Sequence, residues 1–141
     1  MKRSSAILLT SLALLAGVRV SAHHAFAVIY VPDKMQTLAG TIAEFQFRNP
    51  HSVVVIDARD EKGEVHRWAV EWGAALQLNR SSVTPSTLKP GDRVIITGHP
   101  SRMPEDHRLR LRTIVRPSDG WTWRGSFEEL RPTVLIRFRS S

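Results

Sequence analysis

The sequence predicts a mainly β domain of three strands, one helix and two further strands. Three observations lead there. Apolar and β-branched residues recur in short runs separated by clusters of Gly, Pro, Asn and Asp, the punctuation of turns. The run Arg108-Leu109-Arg110-Leu111-Arg112 alternates polar and apolar with a period of two, as a half-buried strand does. Beyond an apolar leader at residues 6–16, only residues 73–80 carry sustained helical propensity.

Each element follows in order. Residues 23–34 read as an irregular arm, apolar from Ala27 to Val31 and closed by the turn residues Pro32-Asp33-Lys34. Residues 35–47 form the first strand on the strength of Leu38, Thr41, Ile42, Phe45 and Phe47. Gly40 inside it marks a bulge or tight bend of the kind small barrels use at corners. Arg48-Asn49-Pro50-His51 breaks the strand. Val53-Val54-Val55-Ile56 is a buried second strand, Asp60-Glu61-Lys62-Gly63 supplies the turn, and residues 64–72 return as its hairpin partner. On that partner His66, Trp68, Val70 and Trp72 share one face. Residues 73–80 form the helix, and residues 84–88 add a helical turn with Thr84 as cap and Pro85 first inside it. Lys89-Pro90-Gly91-Asp92 launches a strand at 93–99, a polar loop covers 100–107, and a strand follows at 108–115. Trp121-Thr122-Trp123 is a short edge piece. Three strands, a helix and two strands, with a glycine-interrupted first strand, is the order of a five-stranded OB-like barrel. An open antiparallel sheet with the helix on one face has the same elements without closure.

The N-terminus carries the three parts of a secretory signal: basic Met1-Lys2-Arg3, the apolar run, and Val20-Ser21-Ala22 as the cleavage site. The expected organisation is a signal peptide over 1–22, a β domain over 23–125 and a C-terminal tail, read as disordered, over 126–141. Removing 22 residues from 141 leaves 119, enough for one domain with a real core. Lys2, Arg3 and Arg19 leave with the signal, so the formal charge falls from +7 to +4. Arg131, Arg137 and Arg139 lie in the tail, so the domain body lacks the clustered basic stripe of a nucleic-acid footprint, and no nucleic-acid partner is expected. With no cysteine there is neither a disulfide framework nor a thiolate metal site. No second apolar segment is long enough to span a bilayer. The expected location is periplasmic or secreted.

Six histidines carry what metal chemistry the chain offers: His23, His24, His51, His66, His99 and His107. Cleavage after Ala22 leaves His23 with a free α-amine, so one residue offers a metal both amine and imidazole, with His24 beside it. Adjacent side chains in an extended arm point opposite ways, so a third nitrogen must come from elsewhere. His51, held in a loop behind Pro50, is the first candidate and His99 the second. Imidazole without thiolate favours copper(II) in the affinity series. Against this stands a plainer reading in which the His-His pair is a polar arm, His51 caps a turn, His66 is an ordinary face residue, and His99 and His107 are solvated. Glu71 with Asp57 can be drawn as an acid–base pair, although strand carboxylates usually pair with arginine. There is no nucleophile turn and no phosphate loop, so no catalytic residue is assigned and the chain is not expected to be an enzyme. Trp68 and Trp72 are core residues or an aromatic wall for a flat ligand.

His23-His24-Ala25-Phe26, Asn49-Pro50-His51, Trp68-Ala69-Val70-Glu71 and Leu88-Lys89-Pro90-Gly91-Asp92, in this order, resemble the DUF6152 family of small exported bacterial proteins. Its members share the post-signal His-His segment, the Asn-Pro-His turn and the Lys-Pro-Gly-Asp turn. The resemblance runs from about His23 to Trp123 and implies an architecture and no activity. It singles out His23, His24 and His51 by position. Two functions follow as expectations. One is a periplasmic metal-binding protein, for copper, with His23 or His24 and His51 as ligands. The other is an OB-type binding or assembly module for an organic ligand or an envelope protein partner, without metal. A histidine-brace oxidase, with Tyr30 or Phe26 near the copper, ranks last.

Overall fold

The computed structural model describes residues 27–125. Its strands are β1 (Gln36–Gln46), β2 (Val53–Arg59), β3 (Val65–Glu71), β4 (Arg93–Pro100), β5 (Arg108–Arg116) and β6 (Trp121–Arg124), with a short helix α1 (Ala75–Arg80) between β3 and β4. A single 3-10 turn, Pro104–Asp106, stands in the β4–β5 connection, where the sequence reads only as polar loop.

The strands lie in the order β3-β2-β1-β4-β5-β6, and β3 pairs in parallel with β5 to close the first five into a barrel. This decides between the two arrangements the sequence left open: the sheet is closed and OB-like. Closure rests on three residue pairs, Ala69↔Arg108, Val70↔Leu109 and Glu71↔Arg110. The other barrel pairings are antiparallel and six or seven residue pairs long. β6 adds to the outer edge of β5.

Alternation fills the barrel. Val54, Ile56 and Ala58 of β2, Val94 and Ile96 of β4, and Leu109 and Leu111 of β5 point inward, joined by Leu38, Ile42, Val70 and Ile114. Each fully buried aliphatic contributes roughly 1.5–3 kcal/mol from its removal from water. Leu78 of α1, with Trp72, Val83 and Leu88, continues that core. The inward phase slips on β5 between Leu111 and Ile114, because Gly98 pairs with Leu111 and Thr97 with Thr113, leaving Arg112 as the extra residue of a bulge. A second irregularity falls at Ala43 of β1, between Ile42 and Glu44. Gly40 is therefore not the bulge itself. Its role is close approach, since a Cβ there would lie 2.8 Å from the Asp57 carbonyl oxygen of β2.

Two local expectations change. Residues 84–88 form a hydrogen-bonded turn rather than a turn of helix: Thr87 donates its amide to the Thr84 carbonyl, and Thr84 donates its own to Thr87 Oγ1. The arm is more ordered than its composition implies. Residues 27–29 are helical, and Tyr30 bridges to Ser101. Val31 donates to the Pro100 carbonyl, and Arg102 donates from its amide to the Ile29 carbonyl.

Candidate functional site

Glu71 ends β3 with its side chain on the outer face, because its neighbours Val70 and Trp72 are both buried inside. Register places Arg110 of β5 directly across the closing seam. Arg110 donates to Glu71 Oε1 at 2.8 Å and to the Trp72 carbonyl at 3.0 Å. Arg108 lies 3.6 Å from Glu71 Oε2. Tyr30, reaching in from the arm, donates its hydroxyl to the same Oε2 at 2.7 Å. Burial, reinforced by the Glu71 hydrogen bond and charge, pushes the Tyr30 phenol up to about 12, so it stays a donor.

His51 completes the group. It follows the cis Asn49–Pro50 bond in the β1–β2 loop. That loop is held by Ser52, which pairs through its backbone with Gly73 and Trp72 and through its hydroxyl with the Arg48 carbonyl. The His51 Nδ1 lies 3.3 Å from Glu71 Oε1 and 3.3 Å from Arg110 Nη1, with the side chain half exposed. Two tautomers compete there. With the proton on Nδ1, His51 donates to Glu71 and leaves Nε2 unprotonated; with it on Nε2, Nδ1 accepts from Arg110.

The other expected residues separate from this cluster. His23 and His24 lie outside the described residues, as do Phe26 and the tail from 126 onward. His99 is buried, and its Nδ1 lies 3.0 Å from the Lys34 carbonyl oxygen, where it fastens the arm to β4. Glu71 and Asp57 do not pair as acid and base. Asp57 is bound by Arg67, whose hydrogen bond holds its carboxyl below the usual carboxylate range. Trp72 is 1% exposed, enclosed by Phe45 and Trp123 at ring-centroid distances of 5.9 and 4.9 Å. It is core rather than wall, and only Trp68 of the pair keeps an accessible edge.

His66 and His107 are not independent surface residues. Their rings stack at 4.5 Å with planes 12° apart, and Trp68 meets His107 edge-on at 5.0 Å. His66 Nε2 also lies 3.1 Å from Asp60 Oδ2 and 3.8 Å from Glu64 Oε2. Asp60 loses hydration there, yet His66 and the amides of Glu64 and Lys62 more than offset that, and its carboxyl sits below its ordinary value. Sequence reasoning passed over this group. Its signal was the alternation of Glu64 and His66 just after a turn opened by Asp60, which aims three polar side chains at one end of the hairpin.

Among the described residues, no helix is long and apolar enough to cross a membrane. No curated protein matches the chain. Two solved structures that match are of Rim1, the mitochondrial single-stranded DNA-binding protein of S. cerevisiae, the second of them selenomethionine-labelled. One is 14% identical with a TM-score of 0.42, covering 57% of this chain and 91% of that one. The other is 12% identical with a TM-score of 0.43, covering 66% and 97%. The expectation of no nucleic-acid partner is corrected on this point: the solved structures that match are those of a single-stranded DNA-binding protein, and the absence of a basic stripe in the sequence does not exclude such a partner. A likeness this distant carries nothing about what this chain binds. The model of the family of unknown function DUF6152 matches residues 11–110, and with it the Asn-Pro-His loop, the seam carboxylate and both arginines; the chain belongs to that family.

Proposed function

We propose that this is an exported metal-binding protein in which His51 anchors a copper(II) ion. The α-amine and imidazole that cleavage after Ala22 would expose on His23, or the ring of His24, complete the site. The observation that carries the reading is the 3.3 Å approach of His51 Nδ1 to the Glu71 carboxylate. A carboxylate on one imidazole nitrogen orients the ring, fixes the tautomer and makes the other nitrogen a better ligand. Tyr30 supports the same reading, since it ties the arm that follows the histidine pair to this very carboxylate. The six residue steps from His24 to Tyr30 span at most about 20 Å. Only one carboxylate then separates Tyr30 from the His51 ring, so the new N-terminus is within tether reach.

Charge narrows the metal. Arg108 and Arg110 bring two guanidiniums against the single carboxylate of Glu71. A hard cation such as calcium gains nothing from that balance. Nitrogen donation has to supply the affinity, which selects copper(II) over magnesium or calcium.

Isothermal titration of the exported protein, its N-terminus first established by intact mass, tests the proposal. One copper(II) per chain is expected, with affinity above that of a free His-His-Ala-Phe peptide. His51→Ala should weaken it on the order of ten-fold or more, and Glu71→Gln by about ten-fold. Affinity equal to the peptide's and unmoved by His51→Ala would overturn it. Because the ligand nitrogens must shed protons, affinity should fall as the solution is made mildly acidic.

The same excess of guanidinium favours a second reading, a metal-free binding module for an anionic organic ligand or protein segment at the seam. Tryptophan fluorescence against envelope extracts separates the two. A response abolished by Arg110→Gln in metal-free protein supports the module.

A further inference from the structure

We infer that the β2–β3 hairpin carries a second metal site, for a divalent transition ion of the zinc type, with His66 Nε2, Asp60 Oδ2 and a Glu64 carboxylate oxygen as ligands. The three ligand atoms already converge: Nε2 lies 3.1 and 3.8 Å from the two carboxylates, and all three atoms fall within 4.8 Å of one another. Bonds of about 2.0–2.2 Å to a tetrahedral ion set ligand atoms about 3.4 Å apart. Small side-chain rotations are enough to reach that.

The ligands are held from behind. Asp60 Oδ1 accepts the amides of Lys62 and Glu64, which turns Oδ2 toward His66. The His66 ring is fixed in plane by the stacked ring of His107, itself braced by Trp68. His107 is held in place as the left-handed residue, φ 46°, that ends the 3-10 turn.

Charge sets these two carboxylates apart from the others that form ion pairs. Among the described residues, the ion pairs of Asp57, Asp92 and Asp119 are made with arginine, and Glu71 has two arginines beside its histidine. Asp60 and Glu64 pair with His66 alone. Arg59, the nearest arginine in sequence, spends its guanidinium on the Gly63 carbonyl. Two carboxylates and a neutral imidazole balance a divalent cation, and the mixture of one nitrogen with two oxygens suits zinc, with water in the fourth position.

The site shares no residue with the seam. Zinc titration of the full exported protein, in wild type and in the His51→Ala background, is the test, followed by calorimetry and by the imidazole NMR signals of His66. One zinc ion per chain should bind equally in both backgrounds and shift the His66 signals. His66→Ala and Glu64→Gln should each weaken binding on the order of ten-fold or more. Both side chains sit at the hairpin end and outside the core, so the variants should fold, which circular dichroism checks. Zinc binding unchanged by both substitutions, or His66 signals that ignore zinc, would refute the site. Copper binding at the seam that survives His66→Ala leaves the two proposals independently testable.

Discussion

Tyr30 is the single tyrosine of the chain, and at 2% exposure it is among its most buried aromatic side chains. That makes one residue's chemistry readable in an absorbance titration. Its phenol is raised from 10.0 to about 12, by burial first and by Glu71 second. The sign follows: the neutral phenol is favoured in the folded state, so this contribution is complete below about pH 10 and is lost as pH rises through about 12. A phenolate midpoint near 12 in the native protein is expected, moving toward 10 in Glu71→Gln. A native midpoint near 10 would show that Tyr30 is not packed on the carboxylate. Tyr30→Phe should cost about 1–2 kcal/mol in a urea melt. At this scale the sequence was legible for His51, which an Asn-Pro-His turn holds near the surface. Glu71 was seen, and the rule that strand carboxylates pair with arginine rather than with Asp57 holds for it, though which arginine was not legible. Its true partners come from the arm and from β5, 41 residues before it and 39 after, and no local pattern records such pairings.

At the scale of elements, patterning was a good guide to β2, β3, β4 and β5, whose apolar alternation is the direct image of one buried face. Boundaries moved by a few residues where polar side chains still pair: β2 runs to Arg59 because Asp57 and Arg59 keep their ladder opposite Arg67 and Val65. The bulge at Arg112 was invisible, since Arg-Leu-Arg-Leu-Arg reads as unbroken alternation. Its cause lies across the sheet at Gly98, where an added Cβ would overlap the Arg110 carbonyl. That clash is with backbone, which has no rotamer to yield. Gly98→Ala should therefore cost about 1–3 kcal/mol. A thermal melt comparing Gly98→Ala with wild type reads the effect, and a loss below 0.5 kcal/mol would mean that the two strands are not pressed together there.

For the whole molecule, element order was enough to suggest an OB-like barrel, yet not to close it. Closure is a pairing between β3 and β5 with no signature in either strand, because Arg108 and Arg110 read equally well as solvent-facing residues of an open edge. The candidate site was half legible for the same reason: its loop histidine is local, while the carboxylate, the phenol and the guanidiniums meet only when the barrel shuts. Of the two readings for the tryptophans, Trp72 takes the core one on burial while Trp68 stays half-buried, a split that the alternation alone does not show. The exclusion of nucleic acid rested on a basic stripe sought along the sequence, and the order of residues does not show which side chains a closed barrel gathers on one surface.

The three-pair seam has a kinetic consequence. In a barrel whose other pairings are twice as long, the shortest one opens at the least free energy. Amide hydrogens of Ala69 and Leu109, which face the seam, should exchange sooner than those of Val54 and Ile96 in the longer pairings. Hydrogen-exchange mass spectrometry resolves that order, and equal protection of the four would dismiss it. The β1–β2 loop, the arm and both arginines all meet at this seam, so a ligand bound there would act as a clasp. Its occupancy would be felt as slower breathing of the barrel, in residues that never touch it.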